Sequence, residues 1–288
     1  MLGAAVLFGT SGTASELFIP DASSASIAAW RLIIGAIGLV VLTRGFAFMH
    51  HYRSPLIWVM GVGVAAFQFF FFLSVSTAGV AVGTLVTISA APWFAGLLGW
   101  AWNRVRPARV WWVATAIGVA GLVLLVGRPP EGDIKLGGIA AGLAAAASYA
   151  VFTNIGTRLT GAGASSTSVL AAAFVLSALM LLPFALTSGS WILTGSGIVV
   201  AIWLGLAVTT VAYWLFGMGM RVLQAGTIGT LNLAEPLVAT ILAVIVLGES
   251  ISATGVVGCV LILLALLLLA RSVTSQNSHA QRLDVITP

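Results

Sequence analysis

The sequence predicts an all-α polytopic membrane protein whose ten transmembrane helices form two inverted five-helix repeats around a central cavity. The first observation is composition: 60% of the 288 residues are hydrophobic and only 7% are charged, against about 25% charged in a typical soluble domain. The mean hydropathy is +1.14. The second observation is that apolar runs of membrane-spanning length, about 20 residues, recur along the chain. The third is an internal repeat.

Ten apolar runs, separated by charges and by Pro, Gly and Ser clusters, give the predicted spans. In order they cover 1–18, 25–43, 55–77, 79–101, 109–127, 136–157, 165–187, 195–219, 222–247 and 251–270. The first run lacks a basic start and a small-residue cleavage site, which favours a retained helix over a signal peptide. The connections are short, so the only expected soluble part is a polar, cytoplasmic tail, 271–288.

The charged residues predict the orientation of these spans. The side of the N-terminus carries most of the basic residues, namely Arg44, Arg53, Arg104, Arg106, Arg109, Arg158, Arg221, Arg271 and Arg282. The opposite side carries Arg128 and Lys135 together with the acids Glu16, Asp21, Glu131, Asp133 and Glu249. Because cytoplasmic loops are enriched in Lys and Arg, we expect both termini to be cytoplasmic, in the cell (cytoplasmic/inner) membrane. The pI near 10.4 reflects this bias, so no nucleic-acid partner is predicted.

The internal repeat relates span four to span nine. Residues 81–98 align without gaps to 225–242, and the identical pairs include Pro92 with Pro236. The alignment divides the chain into halves 1–127 and 136–270. Since each half has an odd number of spans, the halves run in opposite directions across the membrane. This arrangement is typical of alternating-access transporters, whose site lies near the midplane between the repeats.

Several short motifs carry a resemblance to a known family. They are Ala225–Gly226–Thr227, Glu235–Pro236, Leu247–Gly248–Glu249, Phe8–Gly9–Thr10–Ser11–Gly12 and Trp30–Arg31. Together they resemble the EamA-type repeat of the drug/metabolite transporter superfamily, in two copies over 1–270. The resemblance implies a ten-helix exporter of amino acids and related metabolites, similar to aromatic amino acid exporters of the YddG type. The first half departs from the pattern, because Ala91 stands where the second half has Glu235.

Polar and aromatic residues in the middle of spans predict the pathway, because polar groups in hydrocarbon are costly and tend to face a cavity. The candidate substrate-binding residues come from both halves: Thr10, Gln68, Phe69, Phe72, Thr84, Thr87, Ser89, Ser148, Tyr149, Thr209, Tyr213, Trp214, Asn232 and Glu235. A serine or threonine can instead bond to its own helix. Glu235 is the candidate proton carrier or ammonium ligand, with a structural carboxyl as the alternative. Arg31 lies near the outer end of its span, where snorkelling to the interface is the favoured interpretation.

The same residues limit the function. A zwitterion with a bulky apolar side chain fits an almost uncharged lining, so the expected partners are an amino acid substrate, the lipid bilayer and, if transport is coupled, protons. No cofactor or metal is predicted, since His50, His51 and His279 lack acidic or thiol neighbours at ligand spacing. An intramembrane enzyme is disfavoured because no aspartate pair or histidine lies within a span. Efflux of organic cations or drugs by the same fold and a passive channel stay open as alternatives.

Overall fold

The computed structural model describes residues 1–43, 45–104, 106–127 and 135–286, with side chains up to residue 272 except Ser188. Arg44, Arg128, Glu131, Asp133 and the side chain of Arg282, used above to orient the chain, lie outside this description. Within the described ranges the chain is helical and contains no strand.

Ten helices of 17 or more residues follow one another in the described part of the chain. Their bounds are α1 Leu2–Phe18, α2 Ser24–Leu42, α3 Pro55–Ala78, α4 Val80–Asn103, α5 Arg109–Val126, α6 Leu136–Gly161, α7 Ser166–Ser188, α8 Gly195–Met220, α9 Ala225–Leu247 and α10 Ala253–Ile286. Among the described residues, nine helices, α2 to α10, are long and apolar enough to cross a membrane. The chain is therefore a polytopic helical membrane protein. Helix α1, with 17 residues, is the shortest of the ten.

Local sequence sets where the helices begin and turn. The side chains of Ser23, Ser165 and Thr194 accept hydrogen bonds from the first turns of α2, α7 and α8, which satisfies otherwise unpaired amide groups. Gly79 alone separates α3 from α4 and has φ +85°, a conformation that glycine adopts without steric cost. The last helix continues to Ile286, and no Gly or Pro, which would favour an earlier end, occurs between residues 271 and 286.

Two of the helices depart from regular α geometry in the membrane. Helix α8 contains a π-helical stretch, Trp203–Val211, in which the hydroxyls of Thr209 and Thr210 donate to carbonyls five residues earlier. Helix α9 consists of two α-helical parts, Ala225–Leu231 and Ala234–Leu242, followed by a π turn. Such irregular stretches are frequent at functional sites.

The helices of the two sequence halves interleave. Helix α2 packs on α7, α3 on α6, α5 on α10, and α1 on the second part of α9. We distinguish two core clusters of buried residues. The larger core cluster draws mainly on α1 to α3 and α6 to α8, and the smaller core cluster on α5, α9 and α10. The packing therefore does not separate residues 1–127 from residues 136–270.

Candidate functional site

The interruption of α9 lies at Asn232–Leu233. Pro236 has no amide hydrogen and cannot pair with the Asn232 carbonyl four residues earlier. That carbonyl instead accepts a hydrogen bond of 2.9 Å from the Glu235 amide. Glu235 consequently stands in the first turn of the second part of α9, where the aligned peptide dipoles stabilise negative charge.

Seven aromatic side chains pack together beside this interruption. The ring of Tyr213 in α8 lies 4.5 Å from that of Phe174 and 5.0 Å from that of Phe8, measured between centroids. The ring of Tyr149 in α6 lies 6.0 Å from that of Phe67. We call the set the aromatic cluster: Phe8, Phe67, Tyr149, Phe152, Phe174, Tyr213 and Phe216. Five helices thus provide one apolar wall that carries two phenol groups.

A basic and an acidic group approach the aromatic cluster from two helices. The guanidinium of Arg31 acts electrostatically on both Tyr213 and Glu235, and Glu235 also acts on Tyr149. The Asn232 amide nitrogen lies 3.4 Å from the Tyr149 hydroxyl, to which it donates. Among the described residues, Arg31 Nε and Asn232 Oδ1 are buried without a hydrogen-bond partner. Buried polar groups are normally paired, so these atoms can receive a polar ligand.

Three other predicted residues line a separate cavity of about 400 Å³ between α2, α3 and α7. We call it the α2–α3 cavity. Gln68 is 3% exposed, and its amide nitrogen has no partner in the described part of the chain. Phe69 and Phe72 form part of the apolar wall beside it. Gln68 directly follows Phe67 of the aromatic cluster, so the two features are neighbours along α3.

The predicted residues of α4 are inward but bind nothing that the structure describes. Thr87 Oγ1 and Ser89 Oγ are buried without a partner in the ranges described, and Thr84 is half-buried.

Four further candidates do not join the aromatic cluster. Ser148 and Thr209 donate hydrogen bonds to carbonyls of their own helices. The Thr10 hydroxyl donates to the Leu7 carbonyl and accepts a hydrogen bond from the Trp203 indole. Trp214 is 41% exposed.

The structure therefore brings together Tyr149, Tyr213, Asn232 and Glu235 of the predicted set. Sequence reasoning missed most of the aromatic cluster and the inward position of Arg31. Helical spacing could have found part of it, because Phe152 follows Tyr149 by three residues and Phe216 follows Tyr213 by three, which puts each pair on one helix face.

Comparison with known proteins is consistent with this architecture. The transporter YwfM of Bacillus subtilis is 34% identical over 283 residues, which are 96% of this chain and 95% of YwfM. The threonine/homoserine exporter RhtA of Escherichia coli K12 is 28% identical over 88% of this chain and 83% of its own. A solved crystal structure superimposes with a TM-score of 0.80, over 95% of this chain and 96% of the other, at 22% identity.

The matched sequences are membrane transporters and not enzymes. Two segments, residues 1–127 and 136–271, match the EamA-like transporter family, and together they cover nearly the whole chain. The chain therefore belongs to the EamA-like transporter family, within the drug/metabolite transporter superfamily.

Proposed function

We propose that the chain exports amino acids, above all aromatic or large neutral ones, and related metabolites across the cytoplasmic membrane by alternating access. One observation carries this proposal: the guanidinium of Arg31 and the carboxyl group of Glu235 both lie beside the aromatic cluster. An amino acid zwitterion has the complementary form. Its carboxylate would pair with Arg31, its ammonium with Glu235, and its apolar side chain would pack among the rings. The name of the relative RhtA, a threonine/homoserine exporter, supports the same substrate class.

The proposed architecture has ten spans in two inverted repeats, 1–127 and 136–270, with both termini in the cytoplasm. Helix α1 has 17 residues, which is at the lower limit for crossing a bilayer. The pattern of contacts supports a two-fold relation that exchanges the two halves, α1–α5 and α6–α10. The contact of α3 with α7 corresponds to that of α8 with α2, and the contact of α4 with α6 corresponds to that of α9 with α1. The interrupted helix beside the proposed site is a further feature of inverted-repeat transporters.

A second candidate is efflux of organic cations or drugs. Aromatic faces attract cations, and Glu235 adds a carboxylate beside them. Arg31 favours the amino acid, because a second cation beside this guanidinium would be repelled while a carboxylate would be attracted.

Efflux from proteoliposomes tests the proposed function. Labelled tryptophan, phenylalanine and threonine are loaded with and without a pH gradient, and initial rates are compared for the wild type, Glu235→Gln and the exposed control Glu249→Gln. We expect saturable efflux for the wild type and the control. Glu235→Gln should lose at least about tenfold in rate, equivalent to about 1.4 kcal/mol, and any response to the gradient.

Rates no higher than those of empty liposomes for all three amino acids would refute amino acid export. Saturable efflux of a labelled organic cation in the same vesicles would then support the second candidate. Equal rates and equal pH responses for Glu235→Gln and the wild type would remove Glu235 from both ammonium binding and proton coupling.

A further inference from the structure

A second cavity, of about 420 Å³, lies away from the aromatic cluster. It is bounded by the C-terminal ends of α4 and α6, the start of α5, and the turn from α8 into α9. We call it the α6–α9 cavity. Its volume lies in the range of small-molecule sites. With the proposed orientation it opens on the cytoplasmic side, where an exporter collects its substrate.

The wall of the α6–α9 cavity is cationic. Arg158 and Arg221 both line it, and none of the acidic residues that the structure describes does. The Arg158 guanidinium lies over the Trp102 ring, 5.5 Å from its centroid. The acids with described side chains, Glu16, Asp21, Glu235 and Glu249, are all absent from the cavity wall. This balance of charge favours an anionic group.

Two buried polar atoms in the same wall have no partner among the described residues. Asn154 is 2% exposed; its amide nitrogen donates to the carbonyls of Ala95 and Ala150, both at 2.9 Å. These bonds fix the amide, so that its free oxygen Oδ1 faces Gly99. Trp111 is 3% exposed, and its indole N–H is also unpaired. The cavity thus holds one fixed acceptor and one fixed donor that protein groups leave unmatched.

Close helix packing separates this cavity from the aromatic cluster. A Cβ on Gly226 would lie 2.7 Å from the Gly96 backbone, and one on Gly229 would lie 2.8 Å from Pro92 Cα. Ala95, Ala150 and Ala225 fill the remaining space as buried side chains. Tyr149, Tyr213, Asn232 and Glu235 are absent from the cavity wall. A molecule bound here would therefore occupy a place distinct from the proposed site at the aromatic cluster.

We propose that the α6–α9 cavity is a second amino acid site, occupied on the cytoplasmic side before the substrate reaches the aromatic cluster. The carboxylate accepts from the Trp111 indole and pairs with Arg158 and Arg221, while the ammonium donates to Asn154 Oδ1. An α-amino acid meets both needs, because its carboxylate and its ammonium group, a strong donor, are attached to the same carbon. This inference rests on the proposed function, amino acid export.

Equilibrium dialysis of labelled tryptophan against the purified chain in lipid-free detergent counts the sites. We expect two molecules bound per chain for the wild type and for the control Trp112→Phe, whose neighbouring indole does not line the cavity. Trp111→Phe keeps the ring but removes the donor, and Gly99→Ala directs a methyl group at Asn154 Oδ1. Each substitution should lower the affinity for tryptophan at one of the two sites at least tenfold and leave the affinity of the other site unchanged. Arg31→Gln should instead lower the affinity for tryptophan at the other site, beside the aromatic cluster.

Binding of one tryptophan per chain, lost in Arg31→Gln and unaltered in Trp111→Phe and Gly99→Ala, would overturn the second site and leave the proposed function standing. Two sites that are both insensitive to Trp111→Phe and Gly99→Ala would also overturn it. Displacement of only the Trp111-dependent tryptophan by added phosphatidylethanolamine would assign the cavity to a lipid headgroup, again against the proposal. Absence of binding together with absence of efflux would refute the proposed function itself.

Discussion

Arg31 and Glu235 are the residues whose placement demands most explanation. An ionised side chain within a bilayer costs several kcal/mol unless another group compensates it. Arg31 Nε nevertheless has no hydrogen-bond partner among the described residues, and its charge reaches Glu235 and Tyr213 through space. A zwitterion bound between them would supply a direct partner to each. The cost of holding the two charges apart would then be offset when substrate binds.

Replacing Arg31 by glutamine should separate carboxylate recognition from recognition of the ring. Hydrogen bonds to charged groups contribute about 1.5–3 kcal/mol, so Arg31→Gln should raise the concentration of tryptophan that half-saturates efflux by about ten- to a hundredfold. Tryptamine, which lacks the carboxylate, should compete for the site as well as before. Competition assays in proteoliposomes measure both values, with the exposed Arg53→Gln as the matched control. An equal loss for tryptophan and tryptamine would contradict a carboxylate role.

The inward position of Arg31 was not predictable from its place in the span. Eight residues into α2, it could have snorkelled to the interface. The start of α2 is instead covered by a remote segment, since the Trp191 indole donates to Ser26 Oγ at 2.9 Å and Gly189 packs on Trp30. Tyr149, Tyr213, Asn232 and Glu235 were predictable, because the cost of polar groups in hydrocarbon is a local property of each span.

At the scale of elements, span lengths were predictable and span interiors were not. Hydropathy predicted α2, Ser24–Leu42, as 25–43 and α5, Arg109–Val126, as 109–127, because the bilayer thickness sets the length of apolar sequence. Pro236 indicated a lost backbone bond in α9. Whether a proline opens a helix depends on its surroundings: α4 runs without a break through Pro92, whereas α9 is interrupted before Pro236.

Pro236→Ala should restore the missing amide and favour a continuous α9. The Asn232 carbonyl would regain its regular partner, and Glu235 would leave the first turn of a helix. We expect efflux to fall about tenfold, equivalent to about 1.4 kcal/mol. Pro92→Ala is the control: α4 is already continuous, so its efflux should stay within about twofold of the wild type. Initial rates of labelled tryptophan efflux compare the two, and similar rates for both variants would show that the interruption is unimportant.

At the scale of the whole molecule, the core clusters suggest which parts move together. Alternating access requires two bodies that change their relative position around the site. The sequence halves make poor rigid bodies, because α2, α3 and α5 each pack mainly on a helix of the other half. The smaller core cluster joins α5, α9 and α10, and the larger one joins most of the remaining helices. The aromatic cluster belongs to or packs against the larger core cluster, and the interruption of α9 belongs to the smaller one.

A disulfide between α5 and α9 would distinguish movement of the two core clusters from movement of the two sequence halves. The hydroxyls of Thr115 and Thr230 lie 2.8 Å apart, within reach of a sulfur–sulfur bond of about 2.0 Å after small adjustment. In a Cys259→Ser background, oxidised Thr115→Cys/Thr230→Cys links the two sequence halves within the smaller core cluster. We expect efflux to persist in this variant and in both single-cysteine controls. A block of efflux that a reductant reverses would instead indicate that residues 1–127 and 136–270 rock as bodies.

Arg31 and Glu235 also bear on the electrical character of the proposed transport. Their formal charges add to zero, and a bound zwitterion adds none. The membrane potential therefore does no work on the substrate as it crosses, apart from any proton that accompanies it. A monovalent organic cation driven out against an inside-negative potential would cost about 2.3 kcal/mol for every 100 mV. Under the proposed function, a site balanced in this way would release neutral amino acids at any voltage that the cell maintains.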